Sequence, residues 1–281
     1  MLGALGDARD ALGAGLAVLE SVGADGEVLG MIRDAASRAR LPLITYHEWT
    51  RPILRSHEDF SSVLAKGAKA RSTLAKHRRR LEAAVPALAV VDRSDDPTAV
   101  TKFLDIESAG YKGRQGLDTR SHRGEAEWLS DACRRWREAG DLALYTLEGA
   151  GGVIALHLMV RAGTGWFEIH RTYDEHYAAF GPGSLLHHEV IRRVLEESDT
   201  SWMDSCTFEG NHPLKALYPD RHRMTTLLLV TGGRIDHTYA RFYARAVRAL
   251  GSMSVVRERH PRLGRMVDRL QKEPRSDNPS Q

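Results

Sequence analysis

Apolar positions along the chain recur with two periods, and the places where one gives way to the other mark the elements. From Gly165 the sequence alternates through Trp166, Phe167 and Ile169, the period of a half-buried strand. A polar, aromatic loop then leads to Gly181-Pro182-Gly183. Beyond it Leu186, Val190 and Val194 fall at i, i+4 with Ile191 and Leu195 alongside, which is helical spacing, and Ser184 is placed to cap the helix. Before this stretch, Leu142–Glu148, Val153–Val160 and Gly165–Thr172 alternate and are joined by short glycine-bearing links, so they read as an antiparallel meander. Earlier still, residues 1–40 read as helix-rich, with a segment at Glu27–Arg40, and LITYHEW as a short strand. A helix runs from Ser56 to about Ala84, with Phe60, Leu64, Leu74 and Leu81 on one face. Pro86–Arg93 is a strand, and Asp95-Asp96-Pro97 opens a helix to about Ala109. Gly110–Gly116 reads as irregular, and Arg123–Ala139 as a helix stopped by Gly140. After the central helix come a strand at Ser201–Cys206, a short helix at His212–Leu217, a strand at Met224–Thr231 and a basic helix at Asp236–Leu250. The charged tail beyond Arg257 reads as disordered. This divides the chain into a partial helical segment (1–55), a central domain (56–235), a basic helix (236–256) and a tail (257–281).

Strand, glycine turn and helix start together favour an anion, because unpaired N–H groups converge there and the helix dipole adds positive potential. An ordinary strand-to-helix turn would have the same local pattern. The helix over 56–84 adds Lys66, Lys69, Arg71, Lys76, His77, Arg78, Arg79 and Arg80. That density suits phosphate contact. The formal net charge of only +3 and the absence of interleaved aromatics favour a solvated face over nucleic-acid binding.

Composition, at 42% hydrophobic and 27% charged over 281 residues, is that of a globular protein with a substantial core. No apolar run has the length of a membrane span, and the N-terminus lacks the pattern of a signal peptide. Cys133 and Cys206 are isolated, which points to a reduced, cytoplasmic setting. His187 and His188 lack metal-pair spacing, so no metal is expected. Neither a phosphate-binding P-loop nor GxSxG occurs, which sets aside kinase-like and hydrolase chemistry.

The element order, helix, three antiparallel strands, glycine turn, helix, strand, short helix, strand, resembles a GNAT acyltransferase domain: an α+β fold with a mixed, mainly antiparallel sheet flanked by helices. Residues from about Phe60 to Leu228 resemble the cellulose-biosynthesis-type (CelD/BcsL) acetyltransferases, relatives of the Fem-type transferases. The resembling pieces are KARSTLAKHRRRLE, Glu107–Gly116 (ESAGYKGRQG), Ala155–Leu158 (ALHL), Tyr173-Asp174-Glu175, Phe180–Gly183 (FGPG), and Asp204 with Glu209 and Lys215. The resemblance implies direct transfer of an acyl group from acetyl-CoA or another acyl-CoA to an amine or hydroxyl on a small-molecule, saccharide or amino-acid-like acceptor. It places the pantetheine arm on Glu168, Ile169, His170 and Arg171, and the pyrophosphate at Phe180, Gly181, Gly183 and Ser184. Ala178 stands where GNAT enzymes carry Arg or Gln. The family's further N-terminal half is expected to be shortened or absent, and a second copy of the chain, as a homodimer, could replace it.

An amine acceptor must lose a proton, and the thiolate and oxyanion need stabilising. Asp204, in an apolar strand, is a candidate base or a structural carboxylate. His170 is a candidate base or a paired core histidine. Glu209 and Lys215 flank the next loop. Lys112 could bind an anionic substrate group or polarise the thioester, and Tyr111 and Tyr173 are candidate substrate contacts. Two alternatives remain: a Fem-like transferase that takes its acyl group from aminoacyl-tRNA, and a GNAT-fold binding module without catalysis.

Overall fold

The computed structural model describes residues 16–55, 68–196, 199–207 and 218–230. Two compact units divide them: residues up to Thr50 with those from Arg223 onward, and Arg51–His222. Residues 56–67 of the predicted 56–84 helix, with Phe60, Leu64 and Lys66, the helices at His212–Leu217 and Asp236–Leu250, the tail, Glu209 and Lys215 lie outside the described residues. Among the described residues, no helix is long and apolar enough to cross a membrane.

In the first unit, strand β1 (Leu16–Gly23) pairs antiparallel with strand β8 (Asp220–Val230). Helix α1 (Glu27–Arg38) buries Leu29, Ala35 and Ala36. The strand at 16–23 corrects the helical expectation for that stretch. The glycines there leave little helix propensity, and Leu227–Val230 of β8 are all buried. Pairing against such an apolar strand decides the conformation. Strand β2 (Leu43–Arg55) is also longer than the predicted LITYHEW.

The second unit contains helix α2 (Ala68–Ala84), strand β3 (Ala89–Asp92), helices α3 (Ala99–Ala109), α4 (Tyr111–Arg114) and α5 (Glu125–Ala139), strands β4 (Leu142–Gly149), β5 (Gly152–Ala162) and β6 (Gly165–Tyr173), helix α6 (Pro182–Glu196) and strand β7 (Trp202–Asp204). The last residues of β2 pair with β7, and the order continues β7-β6-β5-β4-β3. Every pair is antiparallel except β6–β7, which α6 connects in parallel. Leu186, Val190, Ile191 and Val194 of α6 share one core with Leu81 of α2 and with Met159, Trp166 and Met203 of the sheet. Phe103 and Leu104 of α3 share another with Leu129 and Cys133 of α5 and with Leu142, Leu144, Leu156 and Leu158. Alternation along β4 and β5 supplies both, since neighbouring strand residues face opposite ways.

Strand β6 is irregular in two places. Leu158 pairs with His170 and Met159 with Glu168, so Ile169 is an extra residue in a bulge. The parallel pairing with β7 covers only Gly165–Phe167 against Trp202–Asp204, after which the two chains part.

Two further expectations are corrected. Gly110–Gly116 is not wholly irregular, because α4 forms within it: Glu175 Oε1 accepts the Tyr111 N–H at 2.6 Å and Glu175 Oε2 binds Arg114 at 2.6 Å. A partner distant in sequence supplies the cap. Helix α6 starts at Pro182 rather than after Ser184. Proline suits a first helical position, and Gly181 before it has φ of 59°.

Gly165 has no room for a side chain, since a Cβ would sit 1.8 Å from the Trp202 ring. Gly165→Ala should destabilise the protein by about 1–3 kcal/mol, read as a lower urea midpoint. An unchanged midpoint would disprove the packing argument.

Candidate active site

Where β6 and β7 part, a cavity of about 430 Å³ opens, lined by Glu168–Tyr173 on one wall and Ser205, Cys206 and Thr207 on the other. Lys112 closes it at one end, and Ala178, Gly181, Gly183 and Ser184 at the other. The bulge sorts the β6 side chains. Glu168 contacts residues of the α6 face, whereas His170 lies edge-on to Phe103 of α3, ring centroids 5.8 Å apart. The cavity therefore draws side chains from both faces of the sheet.

On the α6 side, Gly183 approaches Tyr173 so closely that a Cβ would sit 3.3 Å from the ring. Helix α2 reaches the same turn. The Arg80 guanidinium stacks over Phe180 at 5.4 Å, and His77 Nδ1 lies 2.8 Å from where a Gly181 Cβ would be. The basic helix is thus more than a solvated face: two of its residues reach the glycine turn. The turn's own amides are partly committed. Gly181 N–H donates to Ala178 O at 3.0 Å and Ser184 N–H to Gly181 O at 3.1 Å, and Pro182 has no N–H.

On the α3 side, Glu107 is buried. Lys112 Nζ lies 2.7 Å from its Oε1, and Thr119 donates to Oε2 through its amide at 3.0 Å and its hydroxyl at 2.6 Å. Burial pushes the Glu107 carboxyl up, but the bonds from Lys112 and Thr119 outweigh it and hold the group below the usual range. His170 Nδ1 is 3.9 Å from Glu107 Oε1. Its pKa is lowered, chiefly by burial, so the ring is neutral near pH 7.

Between the two ends lies a buried polar cluster that sequence reasoning missed. His187 Nε2 is 2.7 Å from Glu168 Oε1, and the Tyr218 hydroxyl donates to the same oxygen. His157 Nε2 is 3.8 Å from it. Burial would raise the Glu168 carboxyl; the His187 ring bonded to it, with the nearby Arg171 charge, outweighs burial and holds the group below the usual range. Burial pushes His157 down to about 3 and raises the Tyr218 phenol. One signal was available: His187 stands three residues before Val190 and four before Ile191, on the apolar stripe, where a histidine needs a buried partner.

Of the candidate residues, the structure brings Lys112, His170, Glu168, Ile169, Arg171, Tyr173, Gly181, Gly183 and Ser184 to one cavity. Tyr111 lines an adjoining recess. Phe180 packs against the α6-side core. Asp204 is buried and does not line the cavity: its Oδ2 is 3.4 Å from Arg51 Nη1, and its Oδ1 accepts the Cys206 N–H at 2.8 Å. Burial raises its carboxyl.

The family profile described as an acetyltransferase (GNAT) domain matches residues 68–216, more than half of the chain. The chain belongs to this family. It is an acyltransferase with the GNAT-like fold, a mixed, mostly antiparallel sheet flanked by helices, and acetyltransferases of this family use acyl-CoA. Among solved structures, FemX matches at 10% identity over 82% of this chain and 77% of its own, with a TM-score of 0.54. A conserved protein of unknown function from Bacteroides thetaiotaomicron matches at 14% identity over 81% and 74%, with a TM-score of 0.53. The C-terminal domain of an Agrobacterium fabrum protein named for lysylphosphatidylglycerol synthetase matches at 13% identity over 92% and 76%, also at 0.53. At these identities the likeness is one of fold. Comparison with curated proteins returns no match.

The His157 site makes stability depend on pH. Its folded pKa, about 3, lies below the unfolded value of about 6.5. The unfolded state therefore binds the proton first, and stability present above pH 6.5 is lost as pH falls towards 3. Urea midpoints at pH 7 and 5 should fall for the wild type and fall less for His157→Gln. Equal losses would show that His157 is not the sensor.

Proposed function

We propose that this protein moves an acyl group from a CoA thioester to an amine or hydroxyl acceptor by direct transfer, within the CelD/BcsL-type branch of the family. The cavity at the parting of β6 and β7 carries this reading. The β6 edge beyond Phe167 is released from β7 pairing and faces the cavity, ready to receive the amide-bearing arm of the thioester. Gly183 with the Arg80 guanidinium makes an electropositive end for its phosphates, with the His77 ring beside it. Committed amides and Pro182 shift that work from the backbone towards the side chains of α2, in keeping with Ala178 at the position that carries Arg or Gln in GNAT enzymes.

His170 is the proposed base. Its neutral ring lines the cavity and accepts the proton as the acceptor's nitrogen or oxygen attacks the thioester carbon; the C–S bond then breaks and the protonated His170 returns that proton to the departing thiolate. Lys112, fixed by Glu107, is the proposed contact for the developing oxyanion. Asp204 fits the base role less well, because Arg51 and the Cys206 amide engage both its oxygens. The aminoacyl-tRNA alternative rests on α2: Lys76, Arg78 and Arg79 are exposed beside the two residues that reach the glycine turn.

Thermal melting with acetyl-CoA, longer acyl-CoAs and free CoA tests the donor. Ligand at about 100 times its dissociation constant adds roughly 2.7 kcal/mol, and the shift should vanish in Gly183→Val. No shift with any CoA species would sink the CoA reading and turn attention to tRNA. His170→Gln should lower kcat by roughly 100-fold or more without changing the CoA shift. The wild-type rate should fall only as pH drops below about 6.5. A full rate in the variant would remove His170 from the mechanism.

A further inference from the structure

The charges lining the cavity are not equally compensated. Lys112 is paired with Glu107 at 2.7 Å, and Glu168 is bonded by His187 and Tyr218. Arg171 has neither a hydrogen bond nor an ion pair among the described residues, although it is partly buried. It lies opposite His157 in the β5–β6 register. Its charge acts on the Glu168 cluster, but no carboxylate among the described residues comes within ion-pair distance of it. Glu168 attracts it through space, but no group among the described residues fills the hydrogen-bonding fork of this half-buried guanidinium, a geometry that fits the oxyanion of a bound molecule.

Position indicates which molecule. Arg171 lines the main cavity and also a recess of about 50 Å³ formed with Glu107, Gly110, Tyr111, Lys112, Thr172, Tyr173 and Glu175. No residue of the glycine turn lines that recess, and His77 and Arg80 stand at the turn. Glu107 and Glu175 there are already engaged, by Lys112 and Thr119 and by Arg114 and the Tyr111 amide. Of the charged residues lining the recess, Arg171 is the one with no salt bridge among the described residues.

We propose that Arg171 determines acceptor specificity by binding a carboxylate or phosphate on the acceptor, so that the preferred substrates are anionic molecules carrying the nucleophile. The proposal rests on the acyl-CoA reading above. Its alternative source of the same chemistry is the donor's own phosphate.

The test uses the full chain with acetyl-CoA and matched acceptors, glycine against glycinamide and 2-aminoethyl phosphate against ethanolamine, followed by CoA release. The amine of glycinamide is the more readily deprotonated, so intrinsic reactivity favours the neutral member of that pair. The wild type should prefer the anionic members by roughly 10-fold or more in kcat/KM. Arg171→Gln should erase the preference, Arg171→Lys should restore part of it, and the CoA melting shift, which draws on the β6 backbone edge and the glycine turn rather than on this side chain, should persist in both. Equal reactivity within the pairs, including no reaction with either member, overturns the proposal while a wild-type CoA shift leaves the acyl-CoA reading standing. Loss of the CoA shift in Arg171→Gln alone, with Gly183 intact, assigns Arg171 to the donor and also overturns it. The wild-type comparison needs no variant, so poor folding of either variant does not spare the proposal.

Discussion

The short parallel pairing of β6 with β7 is the constraint on which the rest depends. Three residues on each strand hold them together, and the chains then separate while β6 stays paired with β5 on its other side, on both sides of the bulge. A sheet must satisfy its backbone groups, so an edge released in the middle of a folded unit is costly unless something else binds it. Here that edge borders the cavity. The close fit of Gly165 against Trp202 keeps the strands joined up to the point of parting, and α6 fixes the distance at which β7 returns.

The bulge at Ile169 is the second device. It lets Glu168 engage His187 on the α6 face while His170 lies against Phe103 on the α3 face. A regular strand would put 168 and 170 on one face. Under the proposed reading, the phosphate-binding groups and Arg171 lie on the α6 side of the sheet and the proton-accepting His170 with Lys112 on the α3 side, with the acyl group passing between them.

Much of this architecture was legible in the sequence. The meander β4–β6, helices α3, α5 and α6, and the glycine turn followed from periodicity and from Gly and Pro placement, because each is set by local pattern. The candidate cavity residues on β6 and at the turn were also reached, through the family resemblance. What local pattern could not supply was set by distant partners. Strand β1 depends on β8, two hundred residues away; α4 depends on Glu175; and the burial of Glu168 depends on His157, His187 and Tyr218, none of them its neighbour in sequence. Asp204 shows the limit from the other side. An acid in an apolar strand signals a buried carboxylate, but only the fold reveals that Arg51 and the Cys206 amide engage it.

The bulge also bears on how such a protein can diversify. With the strand's phase slipped by one residue, substitutions at 168 and 171 are felt on one face and those at 169 and 170 on the other. The two halves of the cavity can then drift separately by point mutation. A single-residue deletion at Ile169 would leave a regular ladder, with Glu168 and His170 as direct neighbours on opposite faces and the later side chains of β6 on the faces they now occupy. The bulge is therefore a place where the length of this strand can change without turning the cavity inside out.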